Sequence, residues 1–407
     1  MKSEASLTAI PAEADIGRMR SERRSRVRAQ MAENGLDALV LLGNSNVSYT
    51  TGLVWPLGDG GRSNFELPIA VVLASDEYPH LFTPFPLDAS LEVDLPLDHI
   101  HEPVYLDFDE GVEIFARKLA ELLPAGATVA VDEWTHAMRR DDKLLFAGAA
   151  PADAGRVMSS VKVLKTADEL SVMQRGLQIT EAAVAEVQKA CVPGVRGTDL
   201  TAIFLRSIFE HGAAANVLDP MWQVMPLSLA DGPWTTTGDL ACPLITTEAE
   251  LVKGDVLWSD AGIAYGGYHS DFGRTWTVGT TPTTQQQRQY DTWRSIMDAV
   301  RGLVKAGVTA GDLTRAARAR YGGRKPWMPH FYLGHGLGIE SAEMPFVGSD
   351  LGEEFDDSLV LQSGMVLVLE PVVWEDGAAG YRAEEIMLVT ENGYVPMSHY
   401  PYQPYEY

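Results

Sequence analysis

Asp260 and Asp271 stand on either side of Gly266-Gly267, inside the strand-like runs VLWSDAGIAY and YHSDFGRTWTV, and this layout predicts a β-hairpin with an acid on each arm. Folding such a hairpin brings the two acids roughly opposite each other, about 5 Å apart at their Cβ atoms. Carboxylates at that range repel unless a cation sits between them. Glu370 and Glu384 repeat the arrangement in MVLVLEPVVW and YRAEEIMLVT, with a turn centred near Gly377. His335, flanked by glycines in YLGHGLGIE, adds one nitrogen. Four carboxylates and one imidazole suit Mn²⁺, Fe²⁺, Co²⁺ or Zn²⁺, and more readily two ions than one. Any one of these acids alone is more often a strand-edge carboxylate paired with arginine or water. The set of five is what points to metal, and Glu375, Asp376 and Glu385 nearby are assigned to solvent or to supporting ion pairs.

The elements that must position these residues follow from the apolar pattern. LDALVLLG, PIAVVLAS and ATVAVDE read as strands among helices, the first helix being the Arg-rich stretch near residues 16–34, so the first part of the chain is expected to be a mixed sheet with helices packed on it. Thr166, with Glu169 three positions later, forms a capping-box pattern that should open a long helix reaching about Cys191. Another helix is expected to begin at Thr198 or Asp199. Helical pattern returns in TWRSIMDAVRGLVKAG and AGDLTRAARARY, between the two hairpins. The change of character near residue 160 divides the chain into domains 1–160 and 161–407.

Composition sets further bounds. With 56 acidic against 32 basic residues the formal charge is −24, a field that repels phosphate backbones and anionic membranes, so neither nucleic acid nor membrane is an expected partner. No segment is apolar enough to span a bilayer. The polar start of the chain reads as a tail leading into a helix. Cys191 and Cys242 form no CxxC and are read as buried small hydrophobes, and the cytoplasm is the expected compartment.

GDVLWSDAGIAYGGYHSDFGRTW, GHGLGIESAEMP, SGMVLVLEP and YRAEEIMLVTENG, in that order, resemble the motifs of the creatinase, prolidase and aminopeptidase P family, and NVSYTTG and VKVLKTADEL extend the likeness over most of the chain. The resemblance implies an α+β protein: a C-terminal pita-bread domain of paired β-hairpins and helices, after a smaller N-terminal α/β creatinase-like domain. It implies that Asp260 chelates one metal, that Asp271 and Glu384 bridge two, and that His335 and Glu370 bind the second. The expected cofactor is two divalent ions per chain, Mn²⁺ first. Such ions supply activated water near neutral pH and polarise a scissile carbonyl. Glu370 would move the proton from water to the leaving nitrogen, and Arg382 would orient Glu384 or a neighbouring carboxylate. The implied reaction is hydrolysis of an amide C–N bond, as by an Xaa-Pro dipeptidase or aminopeptidase P. The alternative within the family is a non-peptidase acting on a small molecule, a creatine- or ectoine-type hydrolase or a dimethylsulfoniopropionate-type lyase. A homodimer is the implied assembly, with a short peptide or small molecule as substrate.

The chain departs from the family at two histidines. Ala342 stands at the later histidine position of GHGxGxxxHE, although Glu343 is kept, and the segment before Asp255 holds no histidine. Glu343 and His330 are therefore further catalytic candidates. His269, two residues before Asp271, shares its strand face by the period of two and is a substrate-contact candidate. Trp327 belongs to an aromatic set, with Trp222, Trp234, Phe331, Tyr332 and Trp374, that would line an apolar or cation-accepting pocket. Trp55, Arg62 and Phe65 lie in GLVWPLGDGGRSNFE, which resembles a loop that reaches the partner's active site in family dimers. His80, His99, His101, His136, His211 and His399 show no ligand spacing and are read as structural or exposed.

Overall fold

Asp15 accepts a hydrogen bond from the Arg18 amide at 3.0 Å and so caps the helix Ile16–Glu33. This helix opens the first of two units in a computed structural model that describes residues 10–54, 67–84, 93–225, 248–375 and 377–405, with side chains left out at 218–221. The first unit is Glu13–Lys162 and the second runs from Val163 onward. Trp55, Arg62, Phe65, Trp234, Cys242 and Asp376 lie outside the described residues.

In the first unit the runs expected to be strands are strands. They are β1 (Ala38–Leu41), β2 (Ile69–Leu73) and β5 (Val129–Val131), joined by β3 (His80–Phe82), β4 (Ile100–His101) and β6 (Ala152–Asp153) in the order β4-β3-β2-β1-β5-β6. β1 pairs antiparallel with β2 and parallel with β5. A strand at the centre of such a sheet is covered on both faces, which explains why β1 is continuously apolar and buried rather than alternating. Val112, Phe115 and Leu119 of the helix Asp109–Leu122 complete the core on one side.

The second unit starts as the capping pattern predicts. The Thr166 amide donates to Glu169 Oε2 at 2.6 Å, the Glu169 amide donates to Thr166 Oγ1 at 3.2 Å, and the helix runs Ala167–Ala190. The next helix, Gly197–Glu210, begins earlier than expected, because the amide and guanidinium of Arg196 both donate to the Asp199 carboxylate in the first turn. These helices pack on β7 (Ala215–Val224), β8 (Val256–Tyr265), β9 (Tyr268–His269) and β10 (Gly273–Thr277) through Val184, Phe204, Trp222, Ile263 and Trp276. The second half repeats this plan. The helices Thr284–Arg301 and Ala310–Arg320 pack on a sheet of β11 (Gly334–Gly336), β12 (Glu343–Val347), β13 (Val366–Leu369), β16 (Glu385–Val389) and β17 (Tyr394–Pro396), in the order β12-β11-β13-β16-β17. β14 (Val372–Trp374) and β15 (Gly380–Arg382) form a separate two-stranded ribbon. Among the described residues no helix is long and apolar enough to cross a membrane.

Candidate metal centre

Gly266 and Gly267, with φ of 57° and 83°, make the tight turn that lets β8 fold back on β9 and β10. The register that results corrects the expectation for the two aspartates. Asp260 faces Gly273, not Asp271, so Asp271 is a diagonal neighbour one pleat away on the returning arm. In the second hairpin Leu369 pairs with Glu385 and Val372 with Arg382. The same register carried across the gap between the two ladders sets Glu370 opposite Glu384.

Main-chain bonds bring the hairpins together. The Glu384 amide donates to the Gly273 carbonyl at 3.1 Å. Thr275 Oγ1 donates to the Arg382 carbonyl at 2.6 Å and accepts from the Arg382 amide at 3.2 Å. Arg274, buried at 1% exposure, donates to the carbonyls of Gly273, Glu384 and Tyr400. This clamp was not read from the sequence, where an arginine in a strand carries no mark of its partners. The Glu370 amide in turn donates to the Leu333 carbonyl at 2.9 Å, two residues before His335.

Oxygen atoms of Asp260, Asp271 and Glu384 lie within 4.8 Å of one another. His335 joins them, with Nε2 3.2 Å from Asp271 Oδ2 and 3.6 Å from Glu370 Oε1. Its Nδ1 bonds the Gly336 carbonyl at 2.8 Å, which makes Nδ1 the protonated nitrogen and aims Nε2 at the carboxylates. Arg382 reaches the same cluster. Its Nη2 lies 2.9 Å from Asp260 Oδ2, 2.5 Å from Glu370 Oε2 and 2.6 Å from Glu384 Oε1, and its guanidinium carbon lies 5.0 Å from the centroid of the Trp258 ring.

Charge decides what this cluster can hold. Asp260, Asp271, Glu370 and Glu384 offer four negative charges, against one from Arg382 and at most one from His335. Without further cations the acids must hold protons. Burial, with the charges of Asp271 and Glu370 outweighing the pull of Arg382, lifts Asp260 to about 7. Glu370 is raised by burial against the opposing pull of Arg382 and His335, and Glu384 is raised well above the ordinary range by burial and by Asp271 and Asp260. For His335 burial pulls down, but the hydrogen bond and charge of Asp271, then Glu370, prevail and bring it to about 9. Among the described residues Asp260 Oδ1 and Glu384 Oε2 are buried without hydrogen-bond partners. An under-neutralised, oxygen-rich cluster with orphaned acceptors fits divalent cations, and one arginine does not replace them.

The remaining candidates divide. His269 is close enough to Asp271 to feel its charge; burial nevertheless lowers it to about 4, and its Nδ1 is held at 2.9 Å by Ser341 Oγ. Glu343 lies in β12 opposite Gly336 and forms a buried ion pair with Lys165. His330 sits on the surface with its side chain 80% exposed, and pairs with Asp350 at 2.7 Å instead of turning to the cluster. Its backbone, with φ of 58°, turns it outward. Trp327 belongs to a hydrophobic core with Leu333 and Val347, and Trp222 and Trp374 are likewise core residues, so the aromatic lining expected from the sequence is mostly packing. Tyr332 is the exception. Its ring meets that of His335 edge-on at 5.1 Å, and burial together with the charges of Glu370, Asp271 and Asp260 keeps its phenol protonated. Glu385 binds Arg301 and the Tyr402 hydroxyl, and Glu375 accepts from Gln285 and Gln289, both as supporting ion-pair or hydrogen-bond partners.

An α/β unit followed by two helix-and-hairpin halves that gather acids around one histidine is the build of a metal-dependent hydrolase. Residues 171–391 match the profile of metallopeptidase family M24, and residues 23–161 match the creatinase/prolidase N-terminal domain. The chain belongs to metallopeptidase family M24. It is 26% identical over 368 residues to an Xaa-Pro dipeptidase of Pyrococcus furiosus, covering 89% of this chain and 93% of that one. A probable dipeptidase PepE of Mycobacterium bovis is 26% identical over 384 residues, covering 92% and 93%. The fold is similar to that of the prolidase from Pyrococcus horikoshii OT3, with a TM-score of 0.73 and 22% identity over 94% of this chain and 99% of that one. It is also similar to that of an X-Pro aminopeptidase from Thermotoga maritima MSB8, with a TM-score of 0.75 and 19% identity over 93% and 98%.

Proposed function

We propose that the chain is a dinuclear-metal hydrolase of the Xaa-Pro dipeptidase or aminopeptidase P kind, cleaving an amide C–N bond in a short peptide. The observation that carries this reading is the convergence of Asp260, Asp271, Glu370, Glu384 and His335 on one buried space. The dipeptidase relatives favour peptide over the small-molecule alternative. In this reading Asp260 would hold one ion, His335 and Glu370 the other, and Asp271 and Glu384 would serve both. Bound ions supply an activated water and polarise the scissile carbonyl.

The protein's own groups do the rest. Glu370 would take a proton from water and deliver it to the leaving nitrogen. Arg382 fixes the orientation of Asp260, Glu370 and Glu384. His269, neutral and near Asp271, is a contact for substrate. Glu343 acts through its pair with Lys165 to set the β11–β12 edge beside His335. We assign Mn²⁺ as the native metal and 1–160 and 161–407 as the two domains. Cytoplasm is the assigned compartment, consistent with Cys191 being a free thiol that burial, aided by Asp255, pushes up to about 12. A homodimer in which the segment carrying Trp55, Arg62 and Phe65 meets the partner's site is the proposed assembly. Incubating Mn²⁺-loaded protein with a panel of Xaa-Pro dipeptides and tripeptides tests the activity. Release of the N-terminal residue is expected, and full metal occupancy without turnover of any member overturns the peptidase reading.

A further inference from the structure

Asp76, His80 and His99, all in the first unit, bring ligand atoms within 4.8 Å of one another. These histidines show no ligand spacing along the chain; the sheet creates it. β3 begins at His80, a turn earlier in the chain holds Asp76, and the short 3₁₀ turn Leu97–His99 enters β4, which pairs parallel with β3 at the sheet edge. His80 Nε2 and His99 Nε2 lie 3.9 and 3.7 Å from the same Asp76 oxygen, Oδ2. Ligands bound to one tetrahedral zinc at about 2.0–2.1 Å stand roughly 3.4 Å apart, a few tenths closer than these atoms.

A third histidine prepares the site. His80 Nδ1 and His101 Nε2 are 3.0 Å apart, and when His80 donates this bond its Nε2 keeps a lone pair facing Asp76 and His99. Metal-bound imidazoles are usually oriented by such an outer hydrogen bond. His80 is buried, and Phe82 stacks on His101 at 4.6 Å, so both rings are held in place. Among the described residues His99 Nδ1 is buried without a hydrogen-bond partner.

We propose that Asp76, His80 and His99 form a second metal site, separate from the carboxylate cage and selective for an imidazole-preferring divalent ion such as Zn²⁺, with His101 orienting His80. Two imidazoles and one carboxylate leave a fourth position for water, and nitrogen donors favour zinc or copper over magnesium or calcium. The rings of His80 and His99 are now stacked 4.2 Å apart and nearly parallel, at 4°. Binding tilts them toward a common point. The ion then ties the turn before β3, β3 itself and the entry to β4 into one staple at the edge of the sheet.

The test uses the full chain, stripped with chelator, exchanged into excess Mn²⁺ and titrated with Zn²⁺. Bound zinc is counted by atomic emission in the wild type and in His99→Gln and Asp76→Asn, and zinc-induced hydrogen-exchange protection is mapped by mass spectrometry. The wild type is expected to hold about one more zinc than either variant, with new protection at residues 76–82 and 97–101. His101→Phe should weaken that zinc by roughly 10–100-fold. Peptidase activity of the Mn²⁺-loaded variants should match the wild type. Equal zinc counts in wild type and variants overturn the site, as does wild-type protection confined to the second unit; the latter stands even if a variant fails to fold.

Discussion

Gly273 stands directly opposite Asp260 in the β8–β10 ladder, and the space its missing side chain leaves is filled by a carboxylate from the other hairpin. A Cβ added at Gly273 would lie 2.7 Å from Glu384 Oε1 and 3.1 Å from the Ser259 carbonyl. Gly273→Ala should therefore push Glu384 aside. Overpacking of this kind costs about 1–3 kcal/mol, so the variant is expected to fold with a lower melting temperature and to retain less than half the wild-type Mn²⁺ after gel filtration. Wild-type metal content in Gly273→Ala would show that Glu384 does not need this space.

Among the described residues Arg382 is the fixed cation set against Asp260, Glu370 and Glu384, so its removal should be felt most when the metals are absent. Breaking a buried ion pair by deleting one partner costs about 3–5 kcal/mol. Arg382→Met is expected to lower the melting temperature sharply in chelator and much less in Mn²⁺. Thermal melts of both proteins in both conditions measure the difference; an equal drop in the two would place the arginine's role elsewhere than charge compensation.

The cage also sets a pH dependence with a definite sign. Asp260 is raised from 3.8 to about 7 and His335 from 6.5 to about 9 in the metal-free fold. In both cases the folded state holds a proton that the unfolded chain releases sooner. The contribution of Asp260 is thus complete below about 4 and lost as pH rises through 7; that of His335 is complete below 6.5 and lost through 9. Metal binding needs the deprotonated forms and moves the opposite way. The gap in melting temperature between Mn²⁺-loaded and chelated protein should widen steadily from pH 5 to 9, and a constant gap would contradict the assigned ligands.

Lys165 and Glu343 form a pair whose side chains are 1% and 6% exposed. Lys165→Met should destabilise by about 3–5 kcal/mol, because it strands a buried carboxylate. Lys165→Met/Glu343→Leu should recover much of that loss. If the double variant also regains turnover, Glu343 serves position; if it is stable and inactive, Glu343 has a direct part in catalysis. Urea unfolding and steady-state rates together decide.

Much of this site could be read before any coordinates. Acids in apolar runs, a Gly-Gly turn and a glycine-flanked histidine are local signals; in the fold Asp260 lies within β8, whereas Asp271, Glu370 and Glu384 sit in the short breaks between β9 and β10, β13 and β14, and β15 and β16. The capping box at Thr166 and the triplet of buried strands are local in the same sense. What was missed depends on partners far apart in the chain. Arg274 reaches Tyr400, and Lys165 reaches Glu343. His330 failed for the converse reason: spacing put it near His335, but a left-handed backbone turned it to Asp350. The expected Asp260–Asp271 pairing misses by one pleat because the turn fixes register residue by residue and sets Asp260 opposite Gly273.

The Thr275 hydroxyl, which both gives to and takes from the backbone of Arg382, together with the Gly273–Glu384 link, pins the two hairpins by their main chains. The backbone positions of their acids are thereby set by the frame. A frame with so little play is expected to favour smaller first-row ions over calcium, whose bonds to oxygen run about 2.3–2.6 Å.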